Sequence, residues 1–214
     1  ALIGLVNGFI ISFFGVSAIL ATLGTSTLLE GIALVITKGY VISGFPRGLL
    51  AIGNESIIGI PIPLIIFIGV AILVAVILNR SKMGLSTYMM GSNIKATKFS
   101  GINVEKATIK VYILSGLLSG VASIIMLSRF NSAKAGYGSS YLLATVLISV
   151  LGGTNPNGGF GKVSGVVLGI VLLQVISSGL NLLGMSQFLS MALWGILLLA
   201  VEGLRLIKRN KFTF

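Results

Sequence analysis

Residues 63–78 form an uninterrupted apolar run without a single charged or amide side chain. Comparable runs rich in Leu, Ile and Val recur along the chain, and they lack the alternation of apolar and polar residues that is typical of β-barrel strands. In a bilayer every backbone polar group must be hydrogen-bonded inside the protein, and a long apolar helix achieves this within one segment. We therefore predict an all-α membrane protein, a polytopic bundle of helices.

Seven segments are predicted to span or enter the membrane. They lie at residues 1–14, 17–37, 61–79, 109–127, 141–151, 163–182 and 187–204. The first and fifth segments are short enough to be half-helices or re-entrant helices, which occur only where protein surrounds the irregular backbone. Because the chain begins with Ala1 inside an apolar stretch, we expect it to be a fragment of a longer protein.

The composition excludes much catalytic chemistry. Only 9% of the residues are charged, and there is no Asp, His or Cys, whereas about 25% of a soluble domain is charged. Without these residue types the chain cannot build a disulfide, a thiol nucleophile, an ordinary zinc site or a Ser-His-Asp triad. An intramembrane enzyme is therefore disfavoured, and neither catalytic residues nor a metal site are predicted.

The positions of the basic residues predict the orientation. Of the 15 Lys and Arg residues, 11 fall in loop 80–110, loop 152–162 and tail 205–214, which alternating topology places on one side of the membrane. The positive-inside rule puts this side, with the C-terminus, in the cytoplasm. The asymmetry explains the net charge of +11, so we predict no nucleic-acid partner.

Three Gly-x-x-x-Gly motifs fall inside predicted spans. They pair Gly4 with Gly8, Gly116 with Gly120, and Gly165 with Gly169. Small residues four positions apart lie on one helix face and let two backbones approach closely. Packing within one bundle is the favoured interpretation, and a dimer face is the alternative.

Loop 80–110 is too long for a simple connector. Within it, Ser92 and Asn93 can cap a short helix over 94–100, and Gly101 suits the left-handed conformation that ends a helix. The apolar side of this helix would hold Ile94, Ala96, Phe99 and Ile102. A short, stiff helix between two spans is suited to dock into a partner, and the alternative is an ordinary amphipathic surface loop.

The next helix has its own start signals, because Asn103 can cap it and Glu105 would lie in its first turn near the positive end of the helix dipole.

Loop 152–161 (GGTNPNGGFG) resembles a phosphate-binding loop only superficially. Its Gly161 and Lys162 are followed by Val163 rather than Ser or Thr, and the chain has no Asp to hold magnesium. No cofactor is therefore predicted for this chain, and ATP and magnesium would bind to a partner.

Polar side chains inside spans identify candidate pathway residues. A charge at the centre of a span costs roughly 2.5–3.5 kcal/mol on insertion scales, so Glu30 either couples to protons or, as we favour, is a paired structural carboxylate. The candidate pathway-lining residues are Thr22, Thr25, Glu30, Gln174 and Asn181. Ser and Thr also bond to their own helix backbone, which is the structural alternative for the two threonines.

Several motifs in order resemble the permeases of the ribose/galactose/xylose group of ABC transporters. They lie at 21–25 (ATLGT), 30–34 (EGIAL), 42–46 (ISGFP), 91–102 (GSNIKATKFSGI), 114–118, 150–154, 158–161 and 179–184. The resemblance covers nearly the whole chain. Glu30 is a departure, because many relatives have Arg at this position.

The resemblance implies a single transmembrane permease domain over 1–214, with a fold similar to that of the vitamin B12-type importers. About ten helices would form each subunit, of which six or seven are present here and roughly the first third is missing. The protein would be a multi-pass subunit in the bacterial plasma (inner) membrane. Two such subunits, identical or different, would form the pore of a sugar importer. Cytoplasmic ATPases and an extracellular or periplasmic solute-binding protein would be its further partners.

The resemblance also implies that segment 91–102 couples the permease to the ATPases. The residues assigned to coupling are Gly91, Asn93, Ala96, Lys98, Phe99, Ser100 and Gly101. The leading hypothesis is inward transport of a monosaccharide or similar solute by alternating access, driven by the partner ATPases. The alternative is a proton-coupled secondary carrier that uses Glu30.

Overall fold

The computed structural model describes residues 1–155, 158–185 and 187–210, and in the last range it describes only some of the side chains. The basic side chains predicted to form the tail at 205–214 lie outside this description. The described residues divide into two compact units, Ala1–Tyr137 and Gly138–Phe214. The single transmembrane domain inferred from the sequence stays a prediction.

The described residues form ten α-helices and four very short strands, which confirms the all-α fold class. The helices are α1 (Leu2–Phe14), α2 (Ala18–Thr37), α3 (Arg47–Asn54), α4 (Ile62–Arg80), α5 (Lys82–Ser92), α6 (Ile94–Phe99), α7 (Val104–Phe130), α8 (Leu142–Leu151), α9 (Val163–Leu182) and α10 (Gln187–Asn210). The strands form two antiparallel pairs, β1 (Ile42–Ser43) with β4 (Ser132–Ala133) and β2 (Ser56–Ile57) with β3 (Ile60–Pro61). A 3-10 helix covers Tyr137–Tyr141.

Each of the seven predicted spans contains a helix. Among the described residues, four helices are long and apolar enough to cross a membrane: α2, α4, α7 and α9. None of the residues of α4, all of which the structure describes, is buried, and six of its large aliphatic side chains are exposed. Such a surface is compatible with hydrocarbon rather than water, because a lipid-facing helix needs no polar side.

In the first unit, α1 packs against α7 at very short range. A Cβ placed on Gly4 would collide with the carbonyl oxygen of Tyr112, and one on Gly8 would lie 2.8 Å from the Cα of Ile109. A Cβ on Gly116 would lie 3.2 Å from the Cα of Gly4. From Gly4 to Gly8 along α1, the contacted residue of α7 changes from Tyr112 back to Ile109, so the two helices run antiparallel. These glycines pack within the chain, as the favoured interpretation predicted.

Helix α3 was not predicted, and a buried serine fastens it to the last turns of α7. The hydroxyl of Ser128 donates to the carbonyl of Leu49 at 2.7 Å and accepts the N–H of Gly53 at 2.6 Å. The side-chain amide of Asn54 donates to the Ser128 carbonyl at 2.9 Å. With only 8 residues, α3 is too short to be stable as an isolated helix, so its stability depends on these tertiary contacts.

The two groups of charges lie at opposite ends of the first unit. Helix α4 leads from the β2–β3 pair to α5, and α7 leads back from α6 to β4. The β1–β4 pair therefore joins two loops at the same end, where four basic residues are found: Lys38, Arg47, Arg129 and Lys134. The six basic residues of loop 80–110 lie at or near the α5–α6 end, as the charge pattern predicted.

The second unit repeats the close glycine packing between α8 and α9. A Cβ on Gly165 would collide with the carbonyl oxygen of Gly152, and one on Gly169 would lie 3.0 Å from the carbonyl oxygen of Ile148. Leu147 of α8 is fully buried, and α10 also packs against α8. Among the described residues, the second unit is therefore organised around α8.

The close approach of α1 and α7 predicts that Gly4→Ala destabilises the protein. The added methyl group has no room beside Tyr112, and overpacking of this kind costs about 1–3 kcal/mol. The thermal unfolding midpoint of the detergent-solubilised protein should fall. Gly24→Ala is the matched control, because no described atom lies within 4 Å of the added group and Ala favours the helix. Equal midpoints for the two variants would contradict this packing of α1 on α7.

Candidate functional site

Two features of the first unit are candidates for function: the segment α5–α6 and a polar cavity beside α7. Helix α5 is held firmly between two spans, since it packs against both α4 and α7. At its start the Ser81 hydroxyl accepts the N–H of Gly84 at 3.2 Å and donates to the carbonyl of Ile77 at 2.6 Å. Gly84 fits closely against the carbonyl of Leu78. The α4–α5 junction is therefore tight.

Helix α6 has defined ends, as the sequence predicted. The Asn93 side chain accepts the N–H of Ala96 at 3.1 Å and so caps the helix. The helix ends at Phe99, one residue earlier than predicted, and Gly101 follows in the left-handed conformation with φ +78°. Asn103 caps α7 by accepting the N–H of Lys106 at 2.9 Å. Local hydrogen bonds thus define both ends of α6.

The helix α6 has one buried side chain, Thr97, and two exposed large apolar side chains, Ile94 and Phe99. Thr97 is 1% exposed and donates its hydroxyl to the Asn93 carbonyl at 2.8 Å. Phe99 is 93% exposed and Ile94 is 57% exposed. Phe99 is therefore available for contact with a partner, and aromatic residues are enriched at protein interfaces.

One ion pair connects α6 to α7. The Nζ of Lys98 lies 3.2 Å from Oε1 of Glu105, which stands in the first turn of α7 as predicted. Both side chains are about half exposed, so the pair contributes at most about 1 kcal/mol.

The seven residues assigned to coupling all lie in one continuous segment. Gly91 is in the last turn of α5 and is half-buried, and Ser100 donates its hydroxyl to the Ala96 carbonyl at 3.0 Å. The exposed members are Asn93, Ala96, Lys98, Phe99, Ser100 and Gly101. Their role in coupling stays a prediction.

A cavity of about 430 Å³ lies beside α1 and α7, in the first unit. Its polar lining consists of Asn7, Thr22, Tyr112, Ser115, Ser119 and Ser123. The three serines are four residues apart and therefore share one face of α7. Gly116 and Gly120 also line the cavity.

Several polar groups in the cavity wall can accept a further hydrogen bond but have already donated their own proton. Ser119 donates to the Ser115 carbonyl at 2.9 Å, and Ser123 donates to the Gly120 carbonyl at 2.8 Å. Thr22 donates to its own helix in the same way. Asn7 is 9% exposed, and its Oδ1 has no hydrogen-bond partner among the described residues. The wall therefore holds these acceptors together with the hydroxyls of Tyr112 and Ser115.

The structure brings together few of the predicted pathway residues. Thr22 lines the cavity, whereas the hydroxyl of Thr25 is bonded to the Ala21 carbonyl at 3.0 Å. Glu30 is exposed, and its Oε1 lies 2.7 Å from where a Cβ of Gly136 would stand, so the carboxylate rests against the loop after β4.

Gln174 and Asn181 belong to α9 of the second unit, where Gln174 donates to Ser178 of the same helix at 3.4 Å. Sequence reasoning missed Asn7 and the three cavity serines of α7. The four-residue spacing of those serines was the available signal.

Comparison with known proteins decides the family. A family model described as "Branched-chain amino acid transport system / permease component" matches residues 1–202. The chain belongs to this permease family. With its long apolar helices, the permease is a multi-pass membrane protein, and its relatives are permease subunits of transporters rather than enzymes.

Three curated relatives indicate the branch of the family. The permease is 37% identical to the ribose import permease protein of Bacillus subtilis over 195 residues, covering 90% of this chain and 61% of the relative. It is 33% identical to the autoinducer 2 import system permease protein of Yersinia enterocolitica, covering 94% of this chain and 62% of the relative. It is 34% identical to the L-arabinose transport system permease protein of Escherichia coli, covering 91% and 60%.

The chain thus spans about three fifths of the length of these relatives. No solved structure matches the permease.

The cap of α6 predicts a local effect of Asn93→Ala. Losing the side-chain acceptor leaves an N–H of the first turn without its partner, which costs about 0.5–2 kcal/mol. Peptides covering residues 93–102 should then exchange their amide hydrogens faster, as measured by mass spectrometry. Asn93→Ser keeps an acceptor and should exchange nearly as slowly as the unchanged protein. Equal exchange in the Ala and Ser variants would refute the cap.

Proposed function

We propose that this chain is the membrane-spanning subunit of an ATP-driven importer that moves a monosaccharide or similar small polar solute into the cell. The observation that carries the proposal is the exposed, capped helix α6, held between two spans of a chain that belongs to a permease family. The relatives named for ribose import and for L-arabinose transport favour a sugar as the solute.

The proposed mechanism is alternating access driven through α6. ATP binding closes two partner ATPases, which move the α6 helices docked on them. Because α5 packs on both α4 and α7, a displacement of α6 passes to these spans as a movement of packed helices. The permease itself breaks no covalent bond. The partners supply the free-energy difference between its two conformations.

The orientation follows from the two charged ends. The α5–α6 end and the C-terminus lie in the cytoplasm, according to the positive-inside rule. The opposite end, with α3 and the β1–β4 pair, then faces the extracellular or periplasmic solute-binding protein. A second permease subunit, identical or different, completes the pore in the bacterial plasma membrane.

Phe99 is expected to be the main contact with the ATPase. Truncating an aromatic anchor at the centre of an interface costs about 2 kcal/mol or more, so Phe99→Ala should strongly reduce copurification of the ATPase. Tyr40→Ala is the matched control, because Tyr40 is also an exposed aromatic residue. It follows the C-terminal end of α2 and lies at the end of the first unit opposite α6. Equal ATPase recovery in the two variants would rule out α6 as the docking site.

Gly101 tests whether the shape of the segment matters. A β-branched residue in the left-handed conformation costs roughly 1–2 kcal/mol, so Gly101→Val should move α6 and abolish both ATPase association and solute uptake. The level of permease in the membrane should be unchanged. Asn tolerates the left-handed conformation, so the Gly101→Asn variant should retain uptake. Normal uptake by the Val variant would overturn the coupling assignment.

A further inference from the structure

We propose that the hairpin formed by β2 and β3 anchors the permease in the lipid bilayer through isoleucine side chains at its tip. These side chains lie at the border between acyl chains and headgroups, in the leaflet where α4 begins. This anchoring role is independent of which solute the permease moves and of what drives the movement. The backbone of the tip, the exposure of its side chains and its position beside α4 support the role.

The hairpin ends in a two-residue turn that isoleucine disfavours. Because Ile57 pairs with Ile60, the turn consists of Ile58 and Gly59, with φ +55° and +80°. Two positive φ values are typical of a type I′ turn, in which Asn, Asp and Gly are the preferred residues. In a β-branched residue such as Ile58, this conformation crowds the side chain against the backbone. The turn itself gives no reason for isoleucine, so the strained position points to a role for the side chain.

No described part of the protein covers this side chain. Ile58 is 97% exposed, and Ile57 and Ile60 are 54% and 47% exposed. Ile57 and Ile60 share one face of the hairpin, because they stand directly opposite each other. No described atom lies within 4 Å of a Cβ placed on Gly59. The three isoleucines form a contiguous apolar surface, which we call the Ile tip, and such surfaces mark contacts with proteins or membranes.

The Ile tip lies close to the membrane border, because the hairpin leads directly into a span. Helix α4 has 19 residues and is therefore about 28 Å long, which is close to the hydrocarbon thickness of about 30 Å. Since Arg80 ends α4 at one border, the start of the helix at Ile62 lies near the other. The N–H of Ile62 donates to the carbonyl of Glu55 at 3.1 Å, which closes the base of the hairpin on the start of the span.

The residues around the Ile tip favour lipid over a soluble protein as its partner. Residues 57–78 contain no polar side chain, so the apolar surface of α4 continues into the hairpin without interruption. Protein interfaces surround an apolar centre with a polar rim and include direct hydrogen bonds. Within the hairpin, residues 56–61, only Ser56 has a polar side chain. The acyl chains of a bilayer require no polar rim.

Spin labelling measures the depth of the Ile tip directly, and the absence of cysteine in the chain allows a single label at Ile58→Cys. The labelled permease is reconstituted in vesicles of phosphatidylethanolamine and phosphatidylglycerol. Power saturation compares collisions of the label with oxygen, which dissolves in the bilayer, and with a water-soluble nickel chelate. Oxygen should dominate, as at Ile68→Cys, an exposed site in α4. The nickel chelate should dominate at Lys134→Cys, an exposed site in a loop at the same end of the unit.

A second label site keeps residue 58 free for substitution and tests its side chain. With the label at Ile60→Cys, Ile58→Asn should abolish the excess of oxygen collisions, because a polar side chain is not stabilised among acyl chains. The hairpin should persist, since Asn followed by Gly is a preferred pair for this turn. Ile58→Leu is the matched control, because it keeps an apolar side chain at the same backbone position, and it should retain the oxygen excess.

Each outcome either supports the anchor or overturns it. An oxygen excess at Ile58→Cys, together with its loss from the Ile60→Cys label on Ile58→Asn substitution, supports the anchor. Dominant nickel collisions at Ile58→Cys would show that the Ile tip stands in water and would overturn the proposal. A label that neither reagent reaches would indicate contact with protein and would also overturn it. Equal collision ratios for Ile58→Asn and Ile58→Leu would exclude residue 58 as the anchor.

Discussion

The near contact of the α1 and α7 backbones at Gly4 and Gly116 is the interaction on which the first unit depends. Lipid tails are as apolar as leucine, so helices in a bilayer associate through close packing rather than through hydrophobic burial. The glycines allow this packing, and α7 is thereby held as a rod of 27 residues, about 40 Å long. Its start adjoins α6, its middle lines the cavity, and Ser128 near its end binds α3.

This arrangement explains how a chain with so little reactive chemistry can do work in the proposed importer. The described helices offer packed surfaces, and Phe99 is an exposed aromatic side chain on a helix whose two ends are both defined by local hydrogen bonds. Because α5 packs on two spans, a force applied at α6 is transmitted to the helices α4 and α7. The same α7 lines the cavity of the first unit, so the cavity and the proposed docking segment adjoin one helix.

The spans and the caps of α6 could be predicted because their signals are local. An apolar run indicates a span regardless of its neighbours, and the Asn93 side chain bonds a backbone N–H three residues away. Helix α3 could not be predicted, since its formation depends on Ser128, which is distant in sequence. The cavity was missed for the same reason. The sequence reveals that a polar residue such as Asn7 or Glu30 lies in an apolar helix, but the packing of the other helices decides which groups surround it.

If partner ATPases drive solute movement through α6, the energy source of uptake is the most direct test. The quantity to measure is the initial rate of radiolabelled sugar uptake into proteoliposomes that hold the permease with its ATPase and solute-binding protein. Uptake should require ATP on the α6 side and should persist when an uncoupler collapses the proton gradient. Uptake that runs on an imposed proton gradient without ATP, and stops on Glu30→Gln substitution, would contradict an ATP-driven importer.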